Sequence, residues 1–395
     1  MSAPETSQRL ESIDVLRGVV MVLMALDHVR DFFMPMNQLP ENVPGVGPAL
    51  FATRFVTHFC APVFVFLAGT GAYLLGQKME PAALTRFLWT RGLWIVLLEI
   101  TLVDMGWLTW FPLITLVIFQ VFWAIGVALV VLAMIHRLPW KAVLGLGAII
   151  VLGHNLLDRL PIETAIAELG NAQPTLGQVA WMFVHADGAF RVGPSYLYVA
   201  YPALPWIGVL LLGWCFGRVM LGEPAARART CFRLGLGATA AFILLRALDV
   251  YGDPRPWSAA DGMVAGIISF LNTEKYPPSL LYTLMTLGPA LLALSALERW
   301  GVGPLRVLLT FGRVPLFYYL LHLPVINLLA ATWFFLRHDT FRWIRGMFQP
   351  LPESFEPSLV IVYVAWVVIV LLLWPACRWF EGVKQRRREW WIRYL

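Results

Sequence analysis

Charge is what this sequence has least of. Only 14% of its 395 residues are Asp, Glu, Lys or Arg, against 59% hydrophobic, and a water-exposed domain of that length does not cover itself with so few ionised groups. The composition is that of a polytopic membrane protein. Cysteine is sparse too: Cys60, Cys215, Cys231 and Cys377 stand singly in or beside apolar runs. They lack the paired spacing of a zinc site, a redox dithiol or a disulfide framework, and read as small core residues. There is no glycine-rich nucleotide cradle, no close histidine or cysteine pair at metal spacing and no GxSxG turn. No metal is therefore expected, and a serine hydrolase is a weak reading. An inverted repeat and a soluble domain are also missing. One transmembrane domain over 1–395 is expected, ending in a basic, aromatic cytoplasmic tail over 381–395 that suits the membrane surface.

Long apolar runs are what the chain has in plenty. About 20 mainly apolar residues cross a bilayer, and ten runs qualify: roughly 14–35, 56–77, 87–106, 111–135, 141–157, 199–221, 232–250, 278–297, 307–336 and 358–380. An all-α fold of about ten transmembrane helices follows. The first run contains Asp27 and His28 and no clear small-residue cleavage site follows it, so it reads as a retained span. Gly312 and Pro315 mark an entry loop or kink in the ninth.

The net charge of +6 fits membrane orientation better than nucleic acid, which is not an expected partner. With the N-terminus inside, the inner segments hold Arg9, Arg17, Lys78, Arg86, Arg91, Arg137, Lys141, Arg218, Arg227, Arg229, Arg233, Arg299, Arg306, Arg313 and six more from Arg378 onward. These are 20 of the 30 basic residues. The rest are spread over longer outer segments, so both termini are expected in the cytoplasm.

Ionisable groups inside spans are costly unless they pair or face water, which makes each a functional candidate. Arg17 and His28 are separated by ten residues of the first span, ~16 Å along a helix. Arg17 would act at the inner mouth, or simply snorkel to the lipid heads as an orientation signal. Asp31 shares a helical face with both Asp27 and His28. A carboxylate near an imidazole fixes its tautomer and suits a general base, whereas a buried polar knot between helices explains the same residues structurally. His58 opens the second span at a depth similar to His28, above the small residues Ala68, Gly69, Gly71 and Ala72 that permit close helix packing. Glu99 and Asp104 either line the same cavity or pair with basic residues elsewhere. In the ninth span Tyr318 lies one turn before His322, with Asn327 extending the polar stripe. His185, Asp187 and Arg191 form a loop cluster, and Asn272, Glu274, Lys275 and Tyr276 precede the eighth span, where they could cover an outer cavity.

Five blocks, "ESIDVLRGVVMVLMALDHVRDFF", "THFCAPVFVFLAGTGAYLLG", "YPALPWIGVLLLGWCFGR", "KYPPSLLYTLMTLGP" and "TFGRVPLFYYLLHLPV", together resemble bacterial members of the heparan-alpha-glucosaminide N-acetyltransferase family. They span most of the chain in order. Arg17 and His28 also resemble the arginine and histidine pattern of the acyltransferase 3 family. The resemblance implies a multi-pass inner-membrane enzyme that passes an acetyl group from cytosolic acetyl-CoA to a sugar amine or hydroxyl outside. The lysosomal enzyme carries its catalytic histidine in the loop after the first span; residues 36–54 here contain none. The base then falls to His28 or His58, with Asp27 or Asp31 orienting it. Arg17, Arg91 and Arg313 would hold the CoA phosphates, and Tyr318 and His322 join that donor-binding set. Expected partners are acyl-CoA, a sugar or glycan acceptor, the lipid bilayer and, as an option, a second copy in a homodimer. The rival expectation is a proton-coupled transporter with an Asp/His relay.

Overall fold

The computed structural model describes residues 10–34, 47–108, 116–160, 162, 174–193, 195–260, 262–339, 351–387 and 389. Helices account for most of them: α1 (Glu11–Phe33), α2 (Pro48–Thr57), α3 (Cys60–Gly76), α4 (Pro81–Leu98), α5 (Asp104–Leu108), α6 (Val121–Ile135), α7 (Trp140–Gly153), α8 (Leu176–Val184), α9 (Ala203–Phe216), α10 (Pro224–Leu248), α11 (Met263–Leu271), α12 (Leu280–Trp300), α13 (Leu309–Arg313), α14 (Pro315–His338) and α15 (Leu359–Arg386). A helix stands in each of the ten apolar runs. Among the described residues, seven helical runs are long and apolar enough to cross a membrane: 48–76, 140–159, 203–221, 224–248, 280–300, 315–338 and 359–386.

The all-α reading missed a small sheet. β1 (Leu116–Phe119) pairs in parallel with β3 (Ser195–Val199), and β3 pairs antiparallel with β2 (Gly188–Val192). β1 is four apolar residues separated from α6 only by Gln120, so hydropathy reads it as part of the fourth run. The first part of the stretch expected as a cytoplasmic tail, 381–395, is helical. α15 continues to Arg386, and residues 388 and 390–395 lie outside the described part.

Two breaks have chemical causes. Pro62 has no N–H to return to the His58 carbonyl four residues back, so the second run splits into α2 and α3 there. The Tyr282 hydroxyl donates to that freed carbonyl at 2.8 Å. In the ninth run the chain leaves helical geometry at Val314 (φ −128°, ψ 48°), immediately before Pro315, because the residue before a proline is pushed out of the α region.

α1 sits at the centre, packed against α2, α3, α12, α13, α14 and α15. Close approach needs glycine. A Cβ on Gly312 would stand 1.8 Å from the Asp14 carbonyl oxygen and one on Gly18 would stand 2.2 Å from that of Leu308, so α13 and the turn before it lie directly on α1. Gly69 and Gly213 do the same for α3 against α9, where an added Cβ would meet backbone oxygens at 2.1 and 2.0 Å. The small-residue face read from the sequence therefore has a partner in α9. The outside of the bundle is apolar instead: Leu244 on α10 and Leu371 on α15 are 60% and 66% exposed, as lipid contact requires.

Candidate active site

His28 projects from the C-terminal half of α1 and meets His322 of α14, with His28 Nδ1 and His322 Nε2 2.6 Å apart. His322 is fully buried, and its Nδ1 lies 2.6 Å from the Tyr319 carbonyl oxygen. These two contacts fix the tautomers of a neutral pair. A carbonyl only accepts, so His322 Nδ1 carries the hydrogen and its Nε2 holds a lone pair. His28 Nδ1–H donates to that lone pair, which leaves His28 Nε2 as the basic nitrogen. His28 is half-buried. The edge of its ring meets Trp107, with centroids 4.7 Å apart and planes at 71°. Asn327 donates to the Gly106 carbonyl at 3.2 Å, which anchors the turn carrying Trp107.

The carboxylates expected to orient the imidazole are engaged elsewhere. Asp27 accepts from Arg54 Nη1 on both oxygens, at 2.5 and 2.6 Å, from the Thr57 hydroxyl at 3.0 Å and from Arg30 at 3.3 Å. Lys275 Nζ stands 3.9 Å from its Oδ2. Asp31 accepts from Arg30 Nη2 at 2.7 Å. The imidazole takes its orientation from His322, and Asp27 instead gathers side chains of α1, α2 and the 273–279 loop. His58 is 1% exposed, with its ring against Tyr282 (centroids 5.5 Å apart) and Phe55. It is one residue from Thr57, so the two expected histidines flank the same Asp27 cluster.

At the other end of α1, Arg17 donates to Asp14 at 3.2 Å and to the Gly312 carbonyl at 3.1 Å. Arg17 and Arg91 line one cavity of about 230 Å³ whose walls include Ala68, Gly71 and Leu75 of α3, Phe122 of α6 and Leu316 of α14. The small residues of α3 thus do two jobs, packing on α9 and leaving room for this cavity. Tyr319 links Phe122 to the histidine pair: the Phe122 ring stacks on that of Tyr319 with centroids 3.9 Å apart, and the Tyr319 carbonyl holds His322. Arg313 is not on that wall. It pairs with Glu381 at 2.8 Å and lies 3.7 Å from Glu11 and 3.9 Å from Asp14. Tyr318 packs nearly parallel to His322, with centroids 5.5 Å apart and planes at 13°.

Glu99 opens a π-helical stretch, Glu99–Val103, and Asp104 follows it; both bond to backbone rather than to basic residues. Glu99 Oε2 accepts from the N–H groups of Phe122 and Trp123 at 2.6 and 3.0 Å, capping α6 from outside. Asp104 Oδ2 accepts from Ile118 N at 3.3 Å. In the loop cluster, His185 pairs with Asp158 at 2.8 Å, and Arg191 donates to the Gly193 carbonyl. Burial, with the Glu274 carboxylate nearby, raises the Asp187 carboxyl to about 6.

Sequence reasoning missed Arg54, Trp107 and Tyr319. Arg54 had a signal, a lone cation in "PALFATRFVTHF". Tyr319 had none, because it acts through a carbonyl that every residue possesses.

Among the described residues no group of three or more His, Cys, Asp or Glu side chains is placed to hold a metal ion. No curated protein matches the chain. The family model for the catalytic region of heparan-alpha-glucosaminide N-acetyltransferase matches residues 9–251, a stretch that holds Arg17, Asp27, His28, His58 and Arg91. The chain belongs to the heparan-alpha-glucosaminide N-acetyltransferase family, a family of membrane acetyltransferases.

Proposed function

We propose that this protein is an inner-membrane acyltransferase whose ten helical runs all cross the bilayer with both termini in the cytoplasm. It moves an acetyl group from cytosolic acetyl-CoA to a sugar amine or hydroxyl on the outer side. The observation that carries this reading is the hydrogen-bonded order Tyr319 carbonyl, His322, His28, which leaves His28 Nε2 basic at a half-exposed position. The donor is a substrate that the inner cavity suits: two guanidiniums attract phosphates, and apolar walls suit the pantetheine arm.

In the reaction, His28 Nε2 removes a proton from the acceptor N–H or O–H as the lone pair of that acceptor nitrogen or oxygen attacks the thioester carbonyl carbon. The C–N or C–O bond forms and the C–S bond breaks. The imidazolium returns the proton to the departing CoA thiolate, so the products are acetylated sugar and CoASH. His322 accepts the His28 Nδ1 hydrogen throughout and keeps the second nitrogen directed at the acceptor.

Purified protein is to be tested with acetyl-CoA and amino-sugar acceptors. His28→Ala is expected to lose at least about 100-fold in rate; undiminished transfer removes His28 as the base. A proton-coupled transporter predicts no affinity for CoA, so a calorimetric titration with CoA that gives no heat, together with substrate flux in proteoliposomes, would favour that reading instead.

A further inference from the structure

Lys275 is 5% exposed. Its ammonium has three donors, and burial makes each of them costly to leave unpaired. The carboxylate oxygen it faces, Asp27 Oδ2, is 3.9 Å away, beyond hydrogen-bond reach, and its other neighbour is the Tyr276 ring, 5.0 Å from Nζ to centroid. Among the described residues no acceptor hydrogen-bonds to it. Asp27 is not available to move closer, being held on both oxygens by Arg54 and further by Thr57 and Arg30. The adjacent acid is equally committed. Glu274 pairs with Arg255 at 2.6 Å and accepts from the backbone N–H groups of Lys275 and Tyr276 at 3.1 and 3.2 Å. Asp253 holds the same turn through Glu274 N and the Ser279 hydroxyl at 2.8 and 2.7 Å.

The turn thus spends its carboxylates on its own backbone and fixes a lysine whose charge they do not satisfy. Close by, the buried Nε of Arg30 has no hydrogen-bond partner among the described residues. Both belong to the Asp27 cluster, and Asp27 is the residue next to His28.

We infer that Lys275 binds an anionic substituent, a carboxylate, sulfate or phosphate, on the acceptor sugar whose amine or hydroxyl meets His28. This rests on the acyl-acceptor reading of the His28 site. A lysine is a point charge and does not select among these anions by shape. The phosphates of CoA are the competing anionic source, and they are assigned to the Arg17 end, ~16 Å away along α1.

Calorimetry on the full-length protein in detergent separates the sources, with glucosamine, muramic acid, glucosamine 6-phosphate and CoA as probes. Muramic acid and glucosamine 6-phosphate are expected to bind at least about tenfold more tightly than neutral glucosamine. Lys275→Gln should bring that ratio to about twofold or below while Lys275→Arg keeps it, because the arginine restores the charge. Equal affinity for neutral and anionic sugars in the wild type overturns the inference. So does a Lys275→Gln variant that loses CoA affinity as steeply as it loses muramic acid. Acetyl transfer is read separately. Anion preference without turnover leaves the subsite standing and removes the acyltransferase reading, whereas turnover without anion preference removes the subsite alone.

Discussion

The two ends of α1 treat charge in opposite ways. Toward its N-terminal end, Arg17 is steadied by one carboxylate and one carbonyl and lines a mainly apolar cavity with Arg91. Toward its other end, Asp27 and Asp31 are interleaved with Arg30 and Arg54 in a buried cluster that joins α1 to α2, with Lys275 at its margin 3.9 Å from Asp27. A charge beside open apolar space is arranged to meet a ligand, whereas interlocked charges hold the chain together and shape what lies beside them. The difference teaches that a conspicuous Asp–His neighbour pair in sequence need not be a catalytic dyad. Here the acid serves the scaffold and the imidazole takes its partner from α14.

The largest effect should come from breaking the scaffold end. Asp27→Asn removes the charge that several buried cations share, and losing one partner of a buried pair costs about 3–5 kcal/mol. A marked fall in the midpoint of thermal unfolding is expected, while Arg17→Ala, at the cavity end, should shift it little. Equal destabilisation by the two variants would erase the distinction between the ends.

Next in size is the histidine pair. His322→Ala removes the acceptor that selects the His28 tautomer, and a fall of about 100-fold in kcat with KM for acetyl-CoA held is expected. The opposite split, KM raised with kcat held, would return His322 to the donor-binding role that its position in the sequence suggested.

A smaller effect tests the cavity. Arg17→Ala and Arg91→Ala should each raise KM for acetyl-CoA about tenfold, the worth of one charge-assisted hydrogen bond. If both arginines meet phosphates, added salt should weaken donor binding in the wild type more than in either variant.

Much of this arrangement was legible before the fold was known, and the limits have physical causes. Spans follow from hydropathy because lipid forces backbone groups to be satisfied within helices, so a helix stands in every apolar run. His28, Arg17 and Arg91 could be singled out because a charge in an apolar run needs a reason. Partner choice was not legible. Whether Asp27 faces His28 or Arg54 depends on how α2 docks on α1, and nothing local to residues 27 and 28 encodes that. Nor could the sequence show that Arg313 pairs with Glu381 on the last helix, 68 residues on. The sheet escaped because β1 is four residues long and apolar on both sides, a pattern that hydropathy cannot separate from the start of a helix.

The smallest expected effect contrasts Asp27 with a second buried carboxylate. Glu99 is as deeply buried as any residue in the bundle at 0% exposure, but it accepts from two backbone N–H groups at the start of α6 instead of pairing with cations. Capping needs an acceptor oxygen and not a charge, so Glu99→Gln keeps the function that Asp27→Asn loses. Its cost should stay within about 1 kcal/mol, the range of an altered helix cap, and kcat should change less than in His322→Ala because Phe122 still begins the helix and still stacks on Tyr319. A thermal midpoint for Glu99→Gln as low as that for Asp27→Asn would mean that Glu99 is held as an anion by interactions beyond the cap, and the division between charges that pair and charges that cap would fail.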